Sequence, residues 1–314
     1  MRQCPVAKHL RSGICMLMAL YGWRLSNHMF RKFEYSRVYR PEQDWQATGA
    51  EVGRPFHDFI FTAPDGVRLS AWFFPAEEDS PRRDSVLLIC HGNAGNISHR
   101  VQLCRVLLRS GASVMVFDYR GYGRSEGAAS EEGTYLDAQA AYRWLRQQGY
   151  APKDIILFGE SLGGGIASEL ALREPVGGLV LHSTFTSIAK LGGEMFPWLP
   201  VRWINTIKYD TVTKLPRLNV PLLIMHSRED EYIAFSHAEK NFAAANEPKM
   251  FLETDGGHDY TLPSSHDLCA QGMEKFLILV EATNGQTPEP QPDGRQPQNA
   301  GWRKEAGDGS AVIK

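Results

Sequence analysis

The chain predicts an α/β fold: a mostly parallel central sheet, led by an antiparallel hairpin and covered by helices on both faces. Two observations carry this. From Phe56 onward, strand-like and helix-like stretches alternate, the pattern of a crossover-connected sheet. Several of the strand stretches, such as Val86-Leu87-Leu88-Ile89-Cys90, are continuously apolar, as expected when both sheet faces are buried.

The elements follow in order. Phe59-Ile60-Phe61 and Val67–Phe74 flank Pro64-Asp65-Gly66, whose proline, aspartate and glycine favour a tight turn, so the pair reads as a β-hairpin. Val86–Cys90 is the next strand. Arg100–Arg109 carries Val101, Leu103, Val106, Leu107 and Leu108 at helical spacing, and Gly111 stops it. Val114–Phe117 is a strand and Tyr135–Leu145 a helix. Ile155–Phe158, Ile166–Leu172 and Gly178–Leu181 repeat the strand, helix, strand order. Pro221–Met225 and Met250–Leu252 are further strands, and Gly272–Val280 is a final helix.

Three regions fall outside this alternation. In residues 1–50, Arg2, Lys8 and Arg11 precede the apolar stretch Ile14–Tyr21, which is shorter than the ~20 residues needed to span a bilayer. An N-terminal helix is expected there, either packed or lying against a membrane surface, with a cleaved signal as the alternative. Residues 183–218 lack clean periodicity and carry Phe185, Phe196, Trp198 and Trp203 among prolines and glycines. They read as a lid-like insertion or as a packed surface excursion within a domain spanning 51–282. Residues 283–314 are too rich in Pro, Gln, Gly and Asp to offset their ordering entropy and are expected to be a disordered tail.

With 314 residues and a net charge of -2, the chain is long enough for one large domain and offers no electrostatic case for nucleic acid. Its 5 cysteines are odd in number and contain no C-x-x-C pair, so neither a disulfide framework nor a zinc site follows. A cytoplasmic or membrane-associated location is the natural default. Cys90, inside an apolar strand, reads as a core residue.

The chemistry gathers at Gly159-Glu160-Ser161-Leu162-Gly163. This segment follows a strand, precedes the small-residue start of a helix, and puts a serine at the apex of a sharp turn. Such a turn lifts a hydroxyl clear of a sheet edge. Gly123-Arg124-Ser125-Glu126-Gly127 matches the same G-x-S-x-G pattern but has polar turn residues before it and loop after it. Context therefore selects Ser161 as candidate nucleophile and leaves Ser125 a loop serine.

A serine hydroxyl needs a base, and the base needs an orienting group. Both should lie on loops after later strands, where the strand ends converge. His258 follows the last strand, and Gly256-Gly257 let its loop approach the turn. Asp230 lies a short turn beyond Met225, with Glu229 and Glu231 as immediate rivals. For the oxyanion, the N–H of Leu162 follows the serine, and the glycine-rich turn His91-Gly92-Asn93-Ala94-Gly95-Asn96 supplies Asn93 as the second donor.

These residues resemble the α/β-hydrolase superfamily over roughly Phe56 to Val280. Within it, His91–Asn96, Asp118–Gly127 and Gly159–Gly163 look like the branch containing α/β-hydrolase domain-containing proteins 13 and 17. The resemblance implies a serine hydrolase with nucleophile Ser161, acid Asp230, base His258 and oxyanion donors Asn93 and Leu162. It implies no metal or organic cofactor. The expected substrate is a small acyl ester or thioester, or an acylated protein or lipid. Peptidase or amidase action on the same residues, and a non-catalytic binding protein on this fold, are the alternatives. The depalmitoylating members carry an N-terminal cysteine cluster, whereas this chain has only Cys4 and Cys15 there.

Overall fold

A computed structural model describes residues 29–258 and 265–285. The described residues up to Arg40 belong to one compact unit, in which residues 29–38 form helix α1. Those from Pro41 onward form a second, larger unit. Ile14–Tyr21 and most of the expected tail lie outside the described residues. Among those described, no helix is long and apolar enough to cross a membrane.

The larger unit is built on an eight-stranded sheet. Its strands are β1 (His57–Thr62), β2 (Arg68–Phe74), β3 (Val86–Cys90), β4 (Ser113–Phe117), β5 (Ile155–Glu160), β6 (Gly178–His182), β7 (Leu222–Ser227) and β8 (Lys249–Thr254). The spatial order is β8-β7-β6-β5-β3-β4-β2-β1. Pairing is parallel from β4 through β8, while β2 runs antiparallel to both β1 and β4. The expected hairpin is thus β1–β2, closed at Ala63, whose carbonyl accepts the Gly66 N–H at 2.9 Å.

Successive side chains of a strand face opposite sides, so each buried strand feeds two cores. Trp72, Phe74, Leu87, Ile89, Val114, Val116, Ile156 and Phe158 join one hydrophobic cluster. They pack with α2 (Val101–Leu108) and the C-terminal helix α8 (His266–Asn284). α3 (Glu131–Gln147) and α4 (Leu162–Arg173) pack against each other, and α4 lies along β5. Ser130 caps α3 by accepting the Gly133 N–H at 3.1 Å, which fixes where that helix begins. Cys90 is fully buried, and burial pushes its thiol up to about 12, in keeping with a core residue.

Two helices depart from the sequence reading. α4 begins at Leu162, immediately after Ser161, because Gly163-Gly164-Gly165 are helical despite their low propensity. Ser236–Ala244 forms a helix, α7, with a weak apolar stripe that periodicity did not reveal. Residues 183–218 contain two short helices, α5 (Ile188–Met195) and α6 (Val201–Ile204). Phe185 is buried, while Trp198 and Trp203 are exposed.

Candidate active site

The register brings the candidate residues to one edge. Cys90 pairs with Gly159, Glu160 with His182, His182 with Met225, and Ser227 with Thr254. The chain after β3, β5, β6, β7 and β8 therefore leaves the sheet on the same side. The order β4-β3-β5 also means that connections diverge on either side of β3, the kind of switch point where open α/β sheets form crevices.

Ser161 sits at this switch point, between the end of β5 and the start of α4. Its backbone has φ 51° and ψ -114°, a left-handed conformation that a residue with a Cβ adopts only under strain. The strain is held by contacts on both sides of the residue. Its N–H donates to the His182 carbonyl at 2.9 Å, and its carbonyl accepts the Thr184 hydroxyl at 2.6 Å. The surrounding glycines are sterically required. A Cβ at Gly163 would run into the Cys90 carbonyl, and one at Gly159 would come within 2.6 Å of Gly164 Cα.

The Ser161 hydroxyl lies 3.1 Å from His258 Nε2. His258 Nδ1 lies 2.8 Å from Asp230 Oδ2. A carboxylate only accepts, so Nδ1 carries the proton and the Nε2 lone pair faces the serine O–H. Asp230 Oδ1 in turn accepts the N–H groups of Tyr232 and Ile233 at 3.0 and 2.7 Å. Burial raises the Asp230 pKa, but His258, the Ile233 N–H and nearby His226 outweigh it and hold the carboxyl below its ordinary value. Asp230 is thus ionised and rigidly aimed.

The rivals of Asp230 are engaged differently. Glu229 Oε2 accepts the Gly256 N–H at 2.9 Å, and Glu231 Oε2 accepts the His258 N–H at 3.0 Å. They hold the backbone of the histidine loop, while Asp230 reaches the ring. The sequence carried no signal for this division of labour, because three adjacent acids look alike until their directions are known.

Leu162 opens α4, so its N–H is among the first four of a helix and has no intrahelical acceptor. Asn93 lies in the turn after β3. A Cβ added at Gly92 would stand 3.5 Å from Ser161 Cβ, which measures how closely this turn approaches the serine. Two buried histidines lie behind the edge. His226 Nε2 donates to the Ile233 carbonyl at 2.8 Å and is 3.5 Å from Asp230 Oδ2. Burial lowers the His182 pKa to about 4, leaving it neutral near neutral pH.

Ser125 is structural. Its hydroxyl donates to the Asp118 carbonyl at 2.8 Å and accepts the Ser70 N–H at 2.9 Å, inside the fold. Both hydrogen-bonding roles of that hydroxyl tie the loop after β4 to β2.

Comparison with known proteins agrees with this layout. Residues 85–206 match the family model described as the alpha/beta hydrolase fold. Rv2307c of Mycobacterium tuberculosis is 37% identical over 224 residues, covering 71% of this chain and 79% of that protein. YfhR of Escherichia coli is 32% identical over 251 residues, covering 77% and 84%. The lysophosphatidylserine lipase ABHD12 of Danio rerio is 31% identical over 228 residues, covering 62% and 59%. Among solved structures, an esterase from Pyrococcus furiosus superposes with a TM-score of 0.63 at 21% identity, covering 77% of this chain and 98% of that one. Fold, strand order and relatives together make the chain a member of the α/β-hydrolase superfamily, with the hydrolase activity that this membership carries.

Proposed function

We propose that the protein is a serine hydrolase that cleaves a carboxylic ester or thioester through an acyl-enzyme intermediate. The observation that carries this reading is the hydrogen-bonded series Ser161–His258–Asp230, at 3.1 and 2.8 Å, on a strained turn. In the first step His258 Nε2 takes the Ser161 proton as Oγ bonds to the acyl carbon. The carbonyl oxygen becomes an oxyanion, held by the N–H groups of Leu162 and Asn93. Its collapse breaks the bond to the alcohol or thiol, which leaves with the proton from His258. A water then repeats the sequence, its proton going to His258 and its oxygen to the acyl carbon, and Ser161 is released. Asp230 stays ionised throughout and stabilises the imidazolium.

A relative named as a lysophosphatidylserine lipase makes a lipid-like acyl ester the first class to test. The helices of residues 188–204, with Trp198 and Trp203 exposed, serve in this reading as a lid. The N-terminal segment serves as a peripheral membrane contact. Amide and peptide bonds share the same chemistry and are the alternative.

A fluorophosphonate probe tests the nucleophile. The wild-type chain is expected to label and Ser161→Ala to be silent; labelling that survives the substitution overturns the assignment. Hydrolysis of an acyl ester against the matching anilide separates esterase from amidase action.

A further inference from the structure

Glu160, the residue immediately before Ser161, does not face the histidine. Its Oε2 accepts the Gly92 N–H at 3.1 Å and stands 2.8 Å from Arg100 Nε. Arg100 reaches onward, donating from Nη2 to the Ala94 carbonyl at 3.1 Å. The Asn93 carbonyl accepts the Tyr122 hydroxyl at 2.9 Å, and the His91 carbonyl accepts the Tyr119 hydroxyl at 2.9 Å. The turn after β3 is therefore gripped on both sides of Asn93. Glycine-rich turns have many backbone conformations to lose, so such grips decide which one is populated.

Both charged partners are largely screened from water, at 14% exposure for Arg100 and 20% for Glu160. Burial opposes ionisation of Glu160, but Arg100, His182 and the Gly92 N–H outweigh it and hold the carboxyl below its ordinary value. A bare carboxylate next to the nucleophile would repel a developing oxyanion. Arg100 cancels that charge while using it as an anchor.

We infer that Glu160 and Arg100 are positioning residues that aim the Asn93 N–H at the point addressed by the Leu162 N–H. This rests on the proposed roles of Ser161 and Asn93 and assigns the oxyanion geometry to an ion pair outside the reacting groups. The x residue of this G-x-S-x-G segment thus couples the serine turn to the turn after β3. Any shift of one turn is transmitted to the other.

The test is steady-state hydrolysis of a short-chain nitrophenyl ester by the full chain, with inhibition by a trifluoromethyl ketone, which forms a tetrahedral oxyanion adduct. Glu160→Ala is expected to lower kcat about 30-fold with KM within about twofold, and to weaken the ketone in proportion. Glu160→Gln retains an acceptor for the Gly92 N–H and should recover most of the loss. Arg100→Lys keeps the charge but cannot span both Glu160 and the Ala94 carbonyl, so it should fall between them. If Glu160→Ala does not fold, Arg100→Lys carries the comparison, with Glu160→Gln as the near-wild-type reference. Full kcat and unchanged ketone affinity in Glu160→Ala, or in Arg100→Lys where Glu160→Ala does not fold, overturn the inference whatever the thermal stability. If that occurs while Ser161→Ala is inactive, the proposed function stands; an active Ser161→Ala overturns the proposed function itself.

Discussion

Glu231 Oε2 accepts the main-chain N–H of His258 at 3.0 Å, so an exposed carboxylate on one loop fixes the backbone of the ring that faces Ser161. The neighbouring Glu229 does the same for Gly256 at 2.9 Å. A base displaced by a fraction of an ångström loses much of its advantage, because proton transfer depends steeply on alignment. Glu231→Ala is therefore expected to lower kcat about tenfold with little change in KM. Glu231→Gln, which retains an acceptor, should stay within about threefold of wild type. Ester kinetics on the three proteins check this, and equal kcat for Ala and wild type would show that the loop holds itself.

How much of this was legible beforehand divides along physical lines. Strands β3 through β7 are readable because burial on both faces writes continuous apolar runs, β8 at the sheet edge shows only the short run Met250-Phe251-Leu252, and Pro64-Asp65-Gly66 announces the hairpin. The serine turn was readable because its glycines answer steric demands, as the approach of Gly163 to the Cys90 carbonyl makes plain. What the sequence left open depends on direction rather than identity. Nothing in Glu229-Asp230-Glu231 says which carboxylate meets an imidazole and which meet N–H groups. The reach of Arg100 to Glu160, across 60 residues, has no local signature. Helix α7 was invisible for a different reason, since its stability comes from packing against β7 rather than from its own amphipathic pattern.

The positive φ of Ser161 should appear as stored strain. Ser161→Ala and Ser161→Gly both remove the hydroxyl and its bond to His258, and they differ in whether the Cβ remains. Glycine tolerates φ 51° without steric cost, so Ser161→Gly should be more stable than Ser161→Ala by ~1 kcal/mol. That corresponds to a Tm higher by about 3 °C for a domain of this size. Thermal unfolding of the pair reads the difference, with equal Tm values arguing that the turn is relaxed.

Asp118 predicts a pH effect on stability. It is fully buried, its Oδ1 accepts the Ile97 N–H at 2.8 Å, and burial pushes its pKa up from 3.8 to about 7. Between those values the folded protein holds a proton that the unfolded chain has released. Stability therefore falls as pH rises through that window. The buried His91, held down to about 3 by burial, pulls the other way, and its Nε2 lies 3.7 Å from Asp118 Oδ1, so His91→Gln with and without Asp118→Asn separates the two contributions. Asp118→Asn should match wild type near pH 4 and exceed it at pH 8, by on the order of 3 kcal/mol. Denaturant melts at the two pH values decide it, and a gap independent of pH would refute the linkage.

The insertion after β6 meets α7 through a buried histidine. His237 on α7 accepts the Thr186 N–H at Nδ1, at 3.0 Å, which leaves the proton on Nε2 to face Glu194 Oε2 on α5 at 2.8 Å. Lys190 lies 3.2 Å from the other oxygen of Glu194. A helix of eight residues has little stability alone, so this contact, with the Ile188 N–H to Lys208 carbonyl bond at 2.9 Å, helps hold α5 in place. Glu194→Ala should free it, and proteolysis within residues 188–204 should accelerate several-fold while the global Tm moves little. If α5 covers the acyl site, the same variant should change KM for long-chain esters more than for acetate esters. Equal effects on both chain lengths would place α5 away from the acyl chain.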